Sequence, residues 1–120
     1  MIDMKGKVAI VTGAARGLGR AYAVHLAKHG AQVVAGDVRD CDETVNEITK
    51  GGGEAIGLNL DVGDTSSCEA MASAALAKFG RIDALINNAA LYGGLASAKA
   101  NELEEEEWQR VMNVNVTGVW

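Results

Sequence analysis

The sequence predicts an α/β fold, a doubly wound parallel sheet of about four strands with helices on both faces. Three observations carry that expectation. Short apolar runs alternate with stretches whose apolar residues recur at helical spacing, so the chain reads βαβαβαβα. The runs are apolar throughout rather than alternating, as strands covered on both faces require. Glycine is frequent, at 15 residues, and several gather at element junctions, while proline is absent. Crossovers between parallel strands are right-handed, which narrows the topology to doubly wound arrangements.

Each element has its own local signal. Residues 8–11 are a β-branched run that ends at Thr12 and Gly13, a buried strand. Leu18, Ala21, Tyr22 and Leu26 follow at helical spacing, and Lys28, His29 and Gly30 close the helix. Residues 32–37 form the second apolar run, and a polar helix over about 41–51 stops at three successive glycines. The third strand is expected over 55–61. Asp64 is placed to cap a helix with Ala72, Ala75, Leu76 and Phe79 on one face, stopped by Gly80. The fourth strand is expected over 82–86, before a small-residue loop over 91–100. Asn101 and Glu104 suggest a capping box for a last helix with Trp108, Val111, Met112, Asn115 and Val119 along one side.

Bulk properties exclude several function classes. A length of 120 residues is expected to make one domain, residues 1–120. Net charge of −5 argues against nucleic acid or an anionic membrane surface as partner, because both need a basic patch. No apolar stretch is long enough to span a bilayer, and no secretory h-region opens the sequence. Cys41 and Cys68 form no motif, which points to a reducing, cytoplasmic compartment.

The turn after the first strand carries the chemistry. Thr12-Gly13-Ala14-Ala15-Arg16-Gly17-Leu18-Gly19 lies between a strand and a helix. Glycines at 13, 17 and 19 allow a tight turn, a close backbone approach to a pyrophosphate, and packing of the helix on the sheet. The helix start then offers unpaired N–H groups and a positive dipole end to phosphates. In this strand–turn–helix context the glycines mark a dinucleotide site rather than a turn of no special purpose.

The G-x-x-x-G-x-G spacing of this turn is similar to the signature of classical short-chain dehydrogenases/reductases. Three further matches follow in the family's order. Asp61-Val62 stands where the family's aspartate faces adenine, Asn87-Asn88-Ala89-Ala90 resembles its N-N-A-G, and Asn115 resembles its active-site asparagine. The resemblance covers essentially the whole chain. It implies a Rossmann-type sheet in the order 3-2-1-4, truncated, forming a cofactor-binding domain incomplete at its C-terminal end. Gly13, Arg16, Gly17, Leu18, Gly19, Asp37, Asp61, Val62, Asn88 and Ala89 would then bind the cofactor, and Asn115 would belong to the catalytic site.

Asp37 ends the second strand, where a carboxylate accepts hydrogen bonds from the adenosine ribose hydroxyls and repels a 2′-phosphate. This favours NAD over NADP, although Arg16 and Arg39 lie nearby and could receive a phosphate. Asp61 reads equally well as the cap of a turn. Asn115 falls on an apolar stripe, so it either anchors local backbone or, as in the family, helps hold a water beside the catalytic lysine.

Two departures stand out: Ala90 replaces the family's glycine, and the family's catalytic serine and Y-x-x-x-K fall beyond Trp120. The expectation is the cofactor-binding portion of an oxidoreductase that interconverts alcohols and carbonyls. In the complete enzyme its partners would be a dinucleotide, a small-molecule alcohol or carbonyl, and further copies in a homo-oligomer. A non-catalytic dinucleotide-binding module or an inactive fragment is the alternative. Glu104 to Glu107 read as a solvated helix start, and His25 and His29 as surface residues.

Overall fold

The computed structural model describes residues 3–120. Four parallel strands, β1 (Val8–Thr12), β2 (Gln32–Asp37), β3 (Glu54–Asn59) and β4 (Ala84–Ile86), form one sheet. The helices are α1 (Gly17–Lys28), α2 (Asp42–Lys50), α3 (Thr65–Phe79) and α4 (Glu105–Met112). The strand order is β3-β2-β1-β4, as the family resemblance implies. The sequential crossovers run outward from β1 to β3, then return to place β4 on the other side of β1. That reversal opens a crevice at the carboxyl ends of β1 and β4, where ligands bind in such sheets.

Side-chain alternation along the strands builds two cores. Ala9, Val11, Val33 and Ala35 face one way with Ala23, Val24 and Ile48 of the helices. Val8, Ile10 and Val34 face the other way with Leu60, Met71 and Ala75. All five residues of β1 are buried, which makes it the centre of the sheet. Each valine or isoleucine buried there contributes about 1.5–3 kcal/mol relative to exposure.

Several local expectations are corrected. β3 ends at Asn59 rather than 61: Leu60 turns into the core, and Asp61 Oδ1 accepts the Gly63 N–H to turn the chain. β4 starts at Ala84 rather than 82, because the Asp83 side chain takes the Val8 N–H at 2.8 Å in place of a main-chain oxygen. The buried face of α1 is Gly19, Ala23 and Val24, and Leu18 and Tyr22 are exposed. That helix lies close to the sheet, so small residues face it rather than large ones. On α3 the buried residues are Met71 and Ala75, and Leu76 is exposed.

Asp64 caps α3 as expected, accepting the Ser66 N–H at 3.0 Å, and Gly80 ends it in the left-handed conformation. The Asn101–Glu104 capping box does not form. Asn101 lies inside a 3₁₀ turn (Ala100–Glu102), and Glu104 is the N-cap without a side-chain bond. Glu105, Glu106 and Glu107 in the first turn offset the dipole instead. The expected last helix is interrupted: α4 stops at Met112 and Asn113–Thr117 forms a π-helical turn.

Candidate functional site: a dinucleotide cradle at the carboxyl edge

The turn from β1 into α1 leaves the helix start open. Arg16 is the N-cap in extended conformation, no side chain caps the helix, and its first turn holds no acidic residue. The first amides and the positive end of the dipole therefore remain available to an anion. Gly17 holds φ +56°, a conformation costly for other residues, and a Cβ there would meet nothing within 4 Å. At Gly19 a Cβ would collide with the Gly13 carbonyl oxygen and stand 2.6 Å from Asn88 Nδ2. The glycines thus keep open space in front of the loop and allow the helix to close down behind it. Such a cradle fits a dinucleotide pyrophosphate.

Asp37 ends β2 beside this loop. Its Oδ2 accepts the Ala15 N–H at 2.9 Å and its Oδ1 accepts the Arg39 N–H at 3.0 Å. Ala14 N–H donates to the Gly36 oxygen at 3.1 Å, so the loop is stitched to the end of β2 by main chain and side chain together. Arg16 and Arg39 are both exposed.

On the other side the loop is tied to β4 through Thr12, a residue whose role the sequence did not disclose. Thr12 Oγ1 donates to the Ile86 oxygen and accepts the N–H groups of Asn88 at 3.1 Å and Ala89 at 2.9 Å. Asn88 Nδ2 in turn donates to the oxygens of Thr12 and Gly13 at 3.0 and 3.2 Å. A hydroxyl, with one donor and two acceptor sites, suits this junction. The only sequence signal for it is a threonine at a strand end.

Asn115 lies in the π-helical turn and uses both ends of its amide on one residue. Its Oδ1 accepts the Leu91 N–H at 2.7 Å, and its Nδ2 donates to the Leu91 oxygen at 3.0 Å. The same segment docks on the turn after β3. Asn113 Nδ2 donates to the Gly63 oxygen at 3.2 Å, and a Cβ at Gly118 would stand 2.8 Å from Val62 Cγ2. Asp61 spends Oδ1 on the Gly63 N–H at 2.8 Å. The glycine loop, Asp37, Asn88 and Ala89 therefore share one edge of the sheet, with Asp61 and Val62 on the neighbouring turn. Asn115 is connected to them through Leu91 and the loop that follows β4.

A family model described as short chain dehydrogenase matches residues 7–120. The chain belongs to the short-chain dehydrogenase/reductase family. It is 38% identical over 121 residues to glucose 1-dehydrogenase 2 of Bacillus subtilis, covering 98% of this chain and 46% of that one. Against the peroxisomal hydratase-dehydrogenase-epimerase of Neurospora crassa it is 40% identical over 119 residues, covering 99% of this chain and 13% of the other. The crystal structure of carveol dehydrogenase from Mycobacterium avium in complex with NAD superposes with a TM-score of 0.92 at 28% identity, covering 100% and 48% of the two chains. The chain thus spans less than half the length of these relatives. It is the Rossmann-type, N-terminal part of the family's architecture. Among the described residues no helix is long and apolar enough to cross a membrane.

Proposed function

We propose that this family member binds NAD and serves an oxidoreductase that interconverts an alcohol and a carbonyl compound. The observation that carries the reading is the uncapped start of α1, opened by glycines and flanked by the fixed carboxylate of Asp37. Gly13, Arg16, Gly17, Leu18 and Gly19 would hold the pyrophosphate, Asp37 the adenosine ribose, and Asp61 and Val62 the adenine. Asn88 and Ala89 would line the stretch towards the nicotinamide. Bound there, the dinucleotide supplies the hydride acceptor or donor.

NAD is favoured over NADP because a 2′-phosphate would bring a second anion against Asp37. Asn115 serves the catalytic site by fixing Leu91, and with it the entry into the loop over 91–100. Relatives named for glucose and for carveol share this half, so the reading stays at a small-molecule alcohol or carbonyl. Free thiols at Cys41 and Cys68 fit a cytoplasmic setting. The exposed apolar residues of the last segment, Trp108, Val116 and Val119, fit a homo-oligomer.

Calorimetric titration of NAD and NADP into the purified protein tests the reading, with Gly17→Trp as the blocked control. NAD should bind more tightly, and the variant should bind neither. Tighter NADP binding overturns the preference, and binding that survives Gly17→Trp unchanged overturns the site.

A further inference from the structure

The Ala14–Ala15 segment of the glycine loop is fixed from a direction the cofactor would not approach. Its two N–H groups go to β2, one to the Gly36 oxygen and one to Asp37. Its two carbonyl oxygens are held by side chains from the helices behind it. Thr44, fully buried on α2, donates its hydroxyl to the Ala14 oxygen at 2.7 Å. Arg20, on α1, directs Nη2 to the Ala15 oxygen at 2.5 Å and Nε to the same oxygen at 3.1 Å. The guanidinium is itself steered, because Nη2 also reaches Glu43 Oε2 at 2.7 Å and Nε reaches Thr44 Oγ1 at 3.2 Å. Every main-chain polar group of the two alanines is therefore committed to a partner within the protein, and of those partners only Asp37 is also a proposed ligand contact.

This has a consequence for the open half of the loop. Arg16, Gly17, Leu18 and Gly19 follow directly, and the orientation of their amides depends on the peptide planes before them. Gly17 and Gly19 cannot supply that rigidity, since glycine adopts many conformations. A loop that is already ordered binds more tightly, because less conformational entropy is lost on binding. We propose that Thr44 and Arg20 are positioning residues for dinucleotide binding. From α2 and α1 they form a latch that presets the pyrophosphate-binding amides without touching the ligand. The inference rests on the cofactor reading above and assigns its affinity to residues outside the cradle. Neither residue belongs to the glycine motif, and Thr44 lies in a helix that the sequence marks only as polar.

The test compares NAD affinity for wild type, Thr44→Ser, Thr44→Val and Arg20→Met, with Gly17→Trp as the blocked control. All titrations are run well below each variant's Tm, so that loss of folded protein does not enter the Kd. Thr44→Ser keeps the hydroxyl and should bind within about twofold of wild type. Thr44→Val and Arg20→Met each remove a donor to a loop carbonyl and should weaken NAD by about tenfold. Wild-type affinity in folded Thr44→Val and Arg20→Met, with Gly17→Trp still inactive in binding, overturns the latch and leaves the cofactor site standing. Equal loss in Thr44→Ser and Thr44→Val also overturns it, because the hydroxyl would then not be the operative group. If Gly17→Trp binds NAD like wild type, the cofactor reading itself falls, and the latch with it. Should Thr44→Val fail to fold, Arg20→Met decides alone.

Discussion

Asp37 accepts the main-chain N–H of Ala15 at 2.9 Å, which makes the last residue of β2 a structural member of the glycine loop. Its second oxygen takes the Arg39 N–H at 3.0 Å. An ionised carboxylate offers about four lone-pair positions, so both of these bonds leave acceptor capacity for ribose hydroxyls. One side chain can thus shape the loop and read the ribose at once. The two roles are inseparable by simple substitution.

The expected result of Asp37→Ser follows from that double role. Serine removes the charge that opposes a 2′-phosphate, but it is too short to reach the Ala15 amide in the same way. A hydrogen bond to a charged group is worth about 1.5–3 kcal/mol, so NAD affinity should fall by roughly ten- to a hundredfold. NADP should gain less than NAD loses. Titration of both cofactors against the variant checks this. NADP binding as tight as wild type with NAD would show that the bond to Ala15 is dispensable.

Gly17 and Gly19 should not be equally sensitive. Alanine at Gly17 faces open space and suffers only its φ of +56°, a strain of about 1–2 kcal/mol. Alanine at Gly19 meets the Gly13 carbonyl and Asn88 Nδ2, so α1 must move off the turn that follows β1 or the Thr12–Asn88 junction must open. Overpacking of this kind costs about 1–3 kcal/mol and here also distorts the cradle. Gly19→Ala should therefore lose NAD binding more completely than Gly17→Ala, although its own φ is ordinary. Equal Kd values for the two would contradict the close approach.

The sequence disclosed most of this fold because its two central strands, β1 and β2, are apolar on both sides. Val8 to Val11 and Gln32 to Asp37 could be read without tertiary knowledge, and the glycine spacing located the open turn from β1 into α1. What it hid were contacts made by short side chains over long separations. Thr12 joins Asn88, and Thr44 joins Ala14, yet neither pairing leaves a periodic trace. The α1 face was misread because hydrophobic periodicity favours large residues, whereas Gly19 and Ala23 are buried for their smallness. The π-helical turn at Asn113–Thr117 likewise has no local propensity signal, and it places Asn115 against Leu91.

Acid should loosen the join between β1 and β4 through Asp83. Its carboxylate accepts Arg81 Nε at 2.8 Å, Arg81 Nη2 at 2.6 Å and the Val8 N–H at 2.8 Å. The Arg81 hydrogen bonds, then the Val8 amide, lower its pKa from the ordinary 3.8 to about 2. The folded state thus binds this proton less readily than the unfolded chain. The contribution is complete above the unfolded pKa and disappears as pH falls from about 4 to about 2. Thermal melting across that range should show a Tm that drops with pH, and Asp83→Asn should be less stable at neutral pH with a flatter acid profile. Parallel profiles for the two proteins would remove Asp83 from the account.

The last segment predicts self-association. The described chain has a radius of gyration of 15.5 Å and extents of 50 × 26 × 25 Å. A compact domain of this length would have a radius of about 14 Å. The excess is consistent with α4, which continues directly into the π-helical turn and makes little contact with the sheet or the other helices. Trp108, Val116 and Val119 are about half exposed, at 53%, 54% and 49%, and β4 is an edge strand of the described sheet with its own Leu85 exposed. An unpaired strand edge and a nearby apolar surface both favour pairing with another chain. The protein should sediment as dimers or larger species at micromolar concentration. Trp108→Glu with Val119→Glu places charge in that surface and should weaken association by at least about tenfold, since a central aromatic contact is commonly worth 2 kcal/mol or more. NAD affinity should stay the same, because neither residue reaches the glycine loop. A monomer at every concentration, or association indifferent to both glutamates, would show that this surface is not the contact.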